Sequence, residues 1–243
     1  MIRRVLKELW AERSLLVFSL IFMFILSLGL SVFQLNNYSW ESCGMDAFTF
    51  SSEWMAVSVF IVSSFISISI NKNNFKPERV VLSEKNSSVW NYTVVKTVGM
   101  SLVMAVFIFV IVFLVSKMFF ADFFNWDAEE SVFHYLTGYQ MNDINYAAIF
   151  LAYFFQSFFG ICTAAIIPLI SFWYFKSYMI GALFIVVFNL IGMALGADFI
   201  YEQNVFYDKM INGMDIRYHF IFPAIVLVIL MVVGSMKTKR DFI

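Results

Sequence analysis

The chain has 243 residues, of which 61% are hydrophobic and 14% are charged, and its formal net charge is −1 at neutral pH. Its basic residues are split among short segments, which excludes the continuous basic surface that a nucleic-acid partner requires. The two cysteines, Cys43 and Cys162, fall at different predicted depths, so neither a disulfide framework nor a thiolate metal site is expected.

Six apolar stretches divide the chain, and each is close to the ~20 residues that a helix needs to cross a hydrocarbon layer about 30 Å thick. The predicted spans are 14–33, 51–70, 94–119, 146–171, 178–197 and 220–236. The sequence therefore predicts an all-α integral membrane protein whose residues 1–243 form a single transmembrane domain. We expect a multi-pass protein of the cell membrane, most simply a bacterial cytoplasmic membrane.

The basic residues predict the orientation of the spans. Thirteen of the sixteen Lys and Arg lie in the N-terminus, the second connector with its junction, the fourth connector and the tail. Because cytoplasmic connectors carry an excess of Lys and Arg, both termini are predicted to be cytoplasmic. Tryptophans at the predicted span edges fit headgroup depth, with ordinary packing as the alternative; they are Trp10, Trp40, Trp54, Trp90, Trp126 and Trp173.

Residues 1–13 alternate apolar and charged side chains at helical spacing. This pattern predicts an amphipathic helix lying in the inner interface, with its cations toward anionic headgroups. The alternative is that these basic residues only orient the first span.

The spans contain few polar residues and no charge in their central thirds, which argues against an ion-coupled transporter. In the second span, Ser63 and Ser67 belong to a serine set that either lines a path or allows close helix packing, with packing slightly favoured. Gln156 and Asn189 either contact a substrate or form buried hydrogen bonds. In the fifth span, Gly192 and Gly196 form a G-x-x-x-G pair, which is also common in packing within a chain.

The second connector, NKNNFKPERVVLSEKNSSVW, alternates charges around a small apolar group. Pro77 is suited to the first turn of a helix, and Glu78 favours the positive N-terminal end. A short surface helix with an apolar edge at Val81 and Leu82 would be a docking element. The alternative is a solvated loop held against the membrane by Phe75.

The outer connectors, residues 120–145 and 198–219, are rich in aromatic and acidic residues. They predict either short helices on the outer leaflet or over the path, or loops buried on the bundle. Cys43 lies in a further outer connector, between the first and second predicted spans. It is expected to be accessible to thiol reagents from outside.

The layout as a whole resembles the permease subunit of an ABC-2 type transporter. The resemblance covers nearly the whole chain: the N-terminal amphipathic segment, six spans, the charged second connector ending at Lys96 and the basic tail MKTKRDF. Glu78 and Arg79 match the acidic-basic pair of the family's second connector, whereas Val80 to Ser83 depart from its usual continuation. The departure is similar to the compact permeases of bacteriocin-immunity and peptide-toxin exporters, including phenol-soluble-modulin-like systems.

The resemblance implies an exporter built from two permease subunits, identical or homologous, and two copies of a separate ATPase. It also implies a subunit interface near Gly192 and Gly196 in the fifth span. Together with the residue patterns, the leading hypothesis places ATPase coupling at Phe75, Glu78, Arg79, Val81 and Leu82, and a translocation path near Ser63, Ser67, Gln156 and Asn189. The expected cargo is a hydrophobic or amphipathic peptide. The alternatives are a lipid or other amphiphile, or a non-transporting immunity or sensor protein that binds a peptide.

We do not expect this chain to be an enzyme. None of its ten glycines is followed by Lys, so it has no Walker A loop, and ATP and Mg²⁺ are expected to bind the partner ATPase. No catalytic or metal-binding residues are predicted, since His134 and His219 are solitary and no H-E-x-x-H or G-x-S-x-G motif is present.

Overall fold

A computed structural model describes residues 7–8, 10–37, 41–55, 58–75, 86–141, 145–195 and 220–236. These residues are mostly helical, with no β-strand among them. Their helices are α1 (Arg13–Asn37), α2 (Gly44–Met55), α3 (Ser58–Asn71), α4 (Asn86–Phe119), α5 (Val132–Thr137), α6 (Tyr146–Phe175), α7 (Tyr178–Leu195) and α8 (Phe222–Ser235). The predicted all-α class is thus confirmed for the described part of the chain.

Two of the described helices, α4 and α6, are long and apolar enough to cross a membrane by length and composition. Shorter apolar helices lie at Arg13–Phe22, Val59–Asn71, Tyr178–Phe188 and Phe222–Ser235. The count of six spans and the orientation of the termini stay predictions.

Several helix bounds differ from the predicted spans; α1 extends to Asn37 and α6 to Phe175, four residues beyond each predicted end. The helix predicted to begin at residue 94 begins at Asn86. Burial of Trp90 and Thr93 against the bundle keeps this mainly polar extension helical. The predicted span 51–70 corresponds to α2, which already begins at Gly44, and to α3, with residues 56–57 outside the described ranges.

Helix α6 is the centre of the bundle and packs against α3, α4, α7 and α8. One of its sides contributes Tyr153 to an aromatic group in which the Phe48 ring lies 5.0 Å from the Tyr153 ring and 5.2 Å from the Phe150 ring. Another carries a stripe of buried residues at helical spacing that faces α8 and the beginning of α4: Phe159, Cys162, Ile166, Leu169 and Trp173.

Three of the tryptophans are packing residues and do not face headgroups. Trp90, Trp126 and Trp173 are each only 1% exposed, so the packing alternative holds for them. The Trp90 indole also donates a 2.9 Å hydrogen bond to the carbonyl of Met231 in α8. Trp10 is 69% exposed, as an interfacial ring would be, while the side chains of Trp40 and Trp54 lie outside the described residues.

The connector that contains α5 folds onto the bundle, which was one of the two alternatives predicted for it. Ser131 caps the N-terminus of α5, and Gly138 ends it with a φ of +73°, a left-handed conformation that favours glycine. Phe133 is buried and stacks on Trp126 at 4.9 Å between ring centroids. The other connector rich in aromatic and acidic residues, 198–219, lies outside the described residues.

A close helix contact generates the first prediction, at Gly181 in α7. A Cβ added there would lie 2.6 Å from Cα of Pro168 in α6, so a backbone would have to shift, whereas nothing lies within 4 Å of a Cβ at Gly29 in α1. We expect Gly181→Ala to lower the free energy of unfolding by about 1–2 kcal/mol, since overpacking outweighs the gain in helix propensity. Gly29→Ala should be neutral or stabilising.

Thermal unfolding of the purified protein in one detergent measures both glycine variants. An unchanged melting temperature for Gly181→Ala would contradict the close packing of α7 on α6.

Candidate functional site

A buried polar cluster joins the end of α3 to the beginning of α4. We call it the polar junction and define it as Asn71, Asn74, Thr93, Lys96 and Thr97. The Asn71 amide donates to the Thr97 hydroxyl over 3.1 Å, and the Asn74 amide donates to the Asn71 side-chain oxygen over 2.9 Å and to the Thr93 hydroxyl over 3.3 Å. All five side chains are buried. Helical spacing explains the α4 side of the cluster, because positions 93, 96 and 97 share one face.

Lys96 connects three segments through its ammonium group. Its Nζ lies 2.8 Å from Oε2 of Glu8 in the N-terminal segment and donates to the carbonyl of Ile70 over 3.0 Å. Ile70 is in the last turn of α3, where carbonyls lack a helical donor and a cation is favoured by the helix dipole. The Lys96 side chain is 4% exposed and that of Glu8 is 27% exposed, so the carboxylate compensates a nearly buried charge.

Phe75 follows Asn74 of the polar junction directly and is the last described residue in the first part of the second connector. Its ring packs against Trp173 at 5.1 Å and Phe172 at 5.6 Å, and the side chain is 5% exposed. Trp173 in turn contacts Trp90 at 6.0 Å, near the other end of the same connector. Both flanks of the connector are therefore fixed to the end of α6.

Hydroxyl groups of α3 bind backbone carbonyls of α6. Ser64 Oγ lies 2.8 Å from the Ala164 carbonyl, and Ser67 Oγ lies 2.8 Å from the Ala165 carbonyl. Ser63 Oγ instead donates to the Phe60 carbonyl of its own helix over 2.9 Å. The three serine side chains are buried between helices in the described arrangement.

At the other end of the bundle, Asp46 links the beginning of α2 to the segment that precedes α5. Its carboxylate accepts hydrogen bonds from the Cys43 backbone N–H over 2.7 Å and from the Trp126 indole over 2.8 Å. Cys43 is fully buried, and burial together with the Asp46 carboxylate raises the pKa of its thiol to about 12. The expectation that Cys43 is accessible is therefore wrong, because the connector packs over it.

The structure brings together some of the predicted site residues and not others. Ser63 and Ser67 lie on α3, and Gln156 is buried at 7% exposure on α6, so these residues occupy helix contacts. Phe75 faces the bundle. Glu78, Arg79, Val81, Leu82 and Gly196 lie outside the described residues, as do the side-chain surroundings of Asn189 and Gly192 in α7. Among the described residues, no group of three or more His, Cys, Asp and Glu is placed to hold a metal ion.

Sequence reasoning missed the polar junction and the role of Ser64. A signal for the junction was present: Thr93, Lys96 and Thr97 form a polar face in an otherwise apolar segment, opposite the Asn residues that end α3. A signal for Ser64 was Pro168, whose missing N–H leaves an α6 carbonyl in need of another donor.

Comparison with protein-family models, curated proteins and solved structures finds no match to this chain.

The Lys96–Glu8 pair generates the second prediction. Glu8→Ala leaves a nearly buried ammonium without its carboxylate, so we expect a loss of about 2–3 kcal/mol in the free energy of unfolding. Lys96→Met should cost less, because the remaining Glu8 carboxylate can reach water. The double variant should therefore be more stable than Glu8→Ala alone.

Denaturant unfolding of the purified protein in detergent measures this cycle, with Glu12→Ala as the control on the same segment. Additive losses in the double variant would show that Glu8 and Lys96 stabilise the protein independently.

Proposed function

We propose that this protein is the membrane permease subunit of an ABC-2 type exporter that moves a hydrophobic or amphipathic peptide. In this proposal, six spans cross a bacterial cytoplasmic membrane with both termini inside. A separate ATPase, present in two copies, docks on the second connector, and a second permease subunit completes the exporter. The family assignment rests on the layout of spans, charged connector and basic tail.

Apolar surface on the described helices supports the membrane setting. Large apolar side chains are exposed at helical spacing on α4, α7 and α8. On α4 the exposed side chains include Leu102, Val103, Val106, Val110, Phe113 and Leu114. A protein in water rarely exposes continuous apolar surface of this kind, whereas lipid chains cover it without cost.

The observation that carries the coupling proposal is the fixation of both flanks of the second connector. The polar junction and Phe75 hold its beginning, and Trp90, bonded to α8, holds its end. A loop that transmits force from an ATPase needs such flanks, because displacement of a loosely attached loop would not move the helices.

A non-transporting peptide-binding immunity or sensor protein is the second candidate. It is favoured by the burial of Ser63, Ser67 and Gln156 within helix contacts, since a filled interior needs no path. A lipid or other amphiphile exporter remains the alternative cargo class, because a neutral membrane interior accommodates both.

The third prediction concerns orientation. We expect Lys76→Cys and Lys239→Cys to be protected from a membrane-impermeant maleimide in intact cells, and Asp127→Cys to be labelled. Native Cys43 should contribute little background, because a buried thiol with a raised pKa holds little thiolate at neutral pH. Permeabilised cells should label all three introduced cysteines. Labelling of Lys76→Cys in intact cells at the rate of Asp127→Cys would overturn the orientation.

The fourth prediction concerns ATPase docking. Val81→Asp with Leu82→Asp should leave membrane insertion intact and reduce copurification of the ATPase encoded nearest to this gene by at least tenfold, because it places charge in an apolar contact. Ser88→Asp, at an exposed position in the helical end of the connector and away from its apolar edge, is the control and should copurify normally. Normal copurification of the double Asp variant would remove the connector from the docking site, and absence of any ATPase with the wild type would favour the peptide-binding candidate.

A further inference from the structure

Pro168 lies inside α6, and the helix continues through it to Phe175. Because proline has no N–H, the carbonyl four residues earlier, that of Ala164, loses its helical donor. An unpaired carbonyl inside an apolar bundle is costly, so this position requires a hydrogen bond from outside the helix.

Ser64 of α3 is placed to supply that bond. Its Oγ lies 2.8 Å from the Ala164 carbonyl and 2.7 Å from the carbonyl of Phe60 in its own helix. A hydroxyl has one proton and donates to one acceptor at a time. The Phe60 carbonyl has the Ser64 backbone N–H as its helical donor and also accepts from the Ser63 hydroxyl over 2.9 Å, so Ala164 is the acceptor that depends on the Ser64 hydroxyl.

Ser67 provides an internal comparison one turn along α3. Its Oγ lies 2.8 Å from the Ala165 carbonyl, the same distance as in the Ser64 contact. Four residues after Ala165 stands Leu169, which has an N–H, so the Ala165 carbonyl has a helical donor of its own. The two serines therefore make similar contacts, but only one contact replaces a missing donor.

The part of α6 beyond Pro168, Leu169–Phe175, is attached to the second connector and to α8. Trp173 packs on Phe75 at 5.1 Å, and the Tyr174 hydroxyl donates to the carbonyl of Val233 over 2.6 Å. A bend at Pro168 would displace these contacts together.

We propose that Pro168 is a hinge in α6 and that the Ser64 hydroxyl controls it. When the hydroxyl donates to Ala164, Leu169–Phe175 continues the line of the helix. When it turns to the Phe60 carbonyl, this segment is released and moves with Phe75 and the beginning of the connector. The hinge itself is independent of the exporter proposal. Only the idea that a docked ATPase would move the hinge rests on that proposed function.

Spin-label distances test the hinge in the purified full chain in lipid nanodiscs. Cys43 and Cys162 are replaced by Ala, and labels are placed at Val17→Cys in α1 and Phe175→Cys in α6, both exposed positions. Leu169–Phe175 is about 10 Å long, so a kink of about 20° moves its end by about 3–4 Å. Double electron–electron resonance resolves a displacement of this size.

We expect a single main distance in the wild type and in Ser67→Ala, and a second distance displaced by about 3–4 Å in Ser64→Ala. Pro168→Ala restores the missing N–H, so adding Ser64→Ala to it should change nothing. Ser64→Thr, which keeps the hydroxyl, should behave as wild type, and Ser64→Val should behave as Ser64→Ala.

The proposal is overturned by an unchanged distribution in Ser64→Ala, by an equal change in Ser67→Ala, or by a Ser64→Ala effect that persists beside Pro168→Ala. Failure of Ser64→Ala to fold supports it only if Pro168→Ala restores folding, and otherwise counts against it. None of these outcomes depends on ATPase copurification, so failure of the hinge and failure of the exporter proposal are distinguishable.

Discussion

The bundle depends on one constraint: every backbone carbonyl of its central helix needs a donor where water is absent. Pro168 breaks this condition in α6, and Ser64 of α3 restores it at Ala164. The same contact sets the packing, because serine side chains are small enough to let two backbones approach until a hydroxyl reaches a carbonyl. Gly181 allows a similarly close approach of α7 to α6 at Pro168 itself.

The polar junction follows the same physical logic at the end of α3. The last carbonyls of a helix lack donors, and here an ammonium from α4 supplies one to Ile70 while Glu8 compensates its charge. Lys96 thereby holds together three segments that are distant in sequence: the N-terminal segment, the end of α3 and α4. The aromatic rings of Phe75, Trp173 and Trp90 continue this attachment into the apolar part of the bundle.

Hydropathy predicted two of the helix bounds to the residue. The beginning of α6 at Tyr146 and the end of α4 at Phe119 match the predicted spans. The beginning of α4 at Asn86 could not be predicted in this way, because the polar residues there are helical through the tertiary burial of Trp90 and Thr93.

The candidate site was harder to predict than the helices. The pairing of Glu8 with Lys96 joins positions 88 residues apart, and no local pattern specifies it. Ser63 and Ser64 are adjacent, yet the Ser63 hydroxyl bonds a carbonyl of its own helix and the Ser64 hydroxyl reaches α6, because a rotation of about 100° per residue sends their side chains in different directions. Composition alone identified a serine-rich helix but not the serine that faces the proline.

The Lys96–Glu8 ion pair and the Ser64–Ala164 hydrogen bond differ in strength, and this difference assigns them different roles. A nearly buried ion pair costs several kcal/mol to break, so Lys96 and Glu8 hold the end of α3 in one position. A neutral hydroxyl-to-carbonyl bond contributes only about 1 kcal/mol net, and the Ser64 hydroxyl has a second acceptor within reach. Turning to Phe60 leaves the Ala164 carbonyl without a donor at a cost of about 1–3 kcal/mol, so the released state is a minor one that a modest force or ligand can shift. The bundle thus combines a fixed attachment beside the connector with an adjustable contact two turns earlier in α3, the arrangement that a hinge requires.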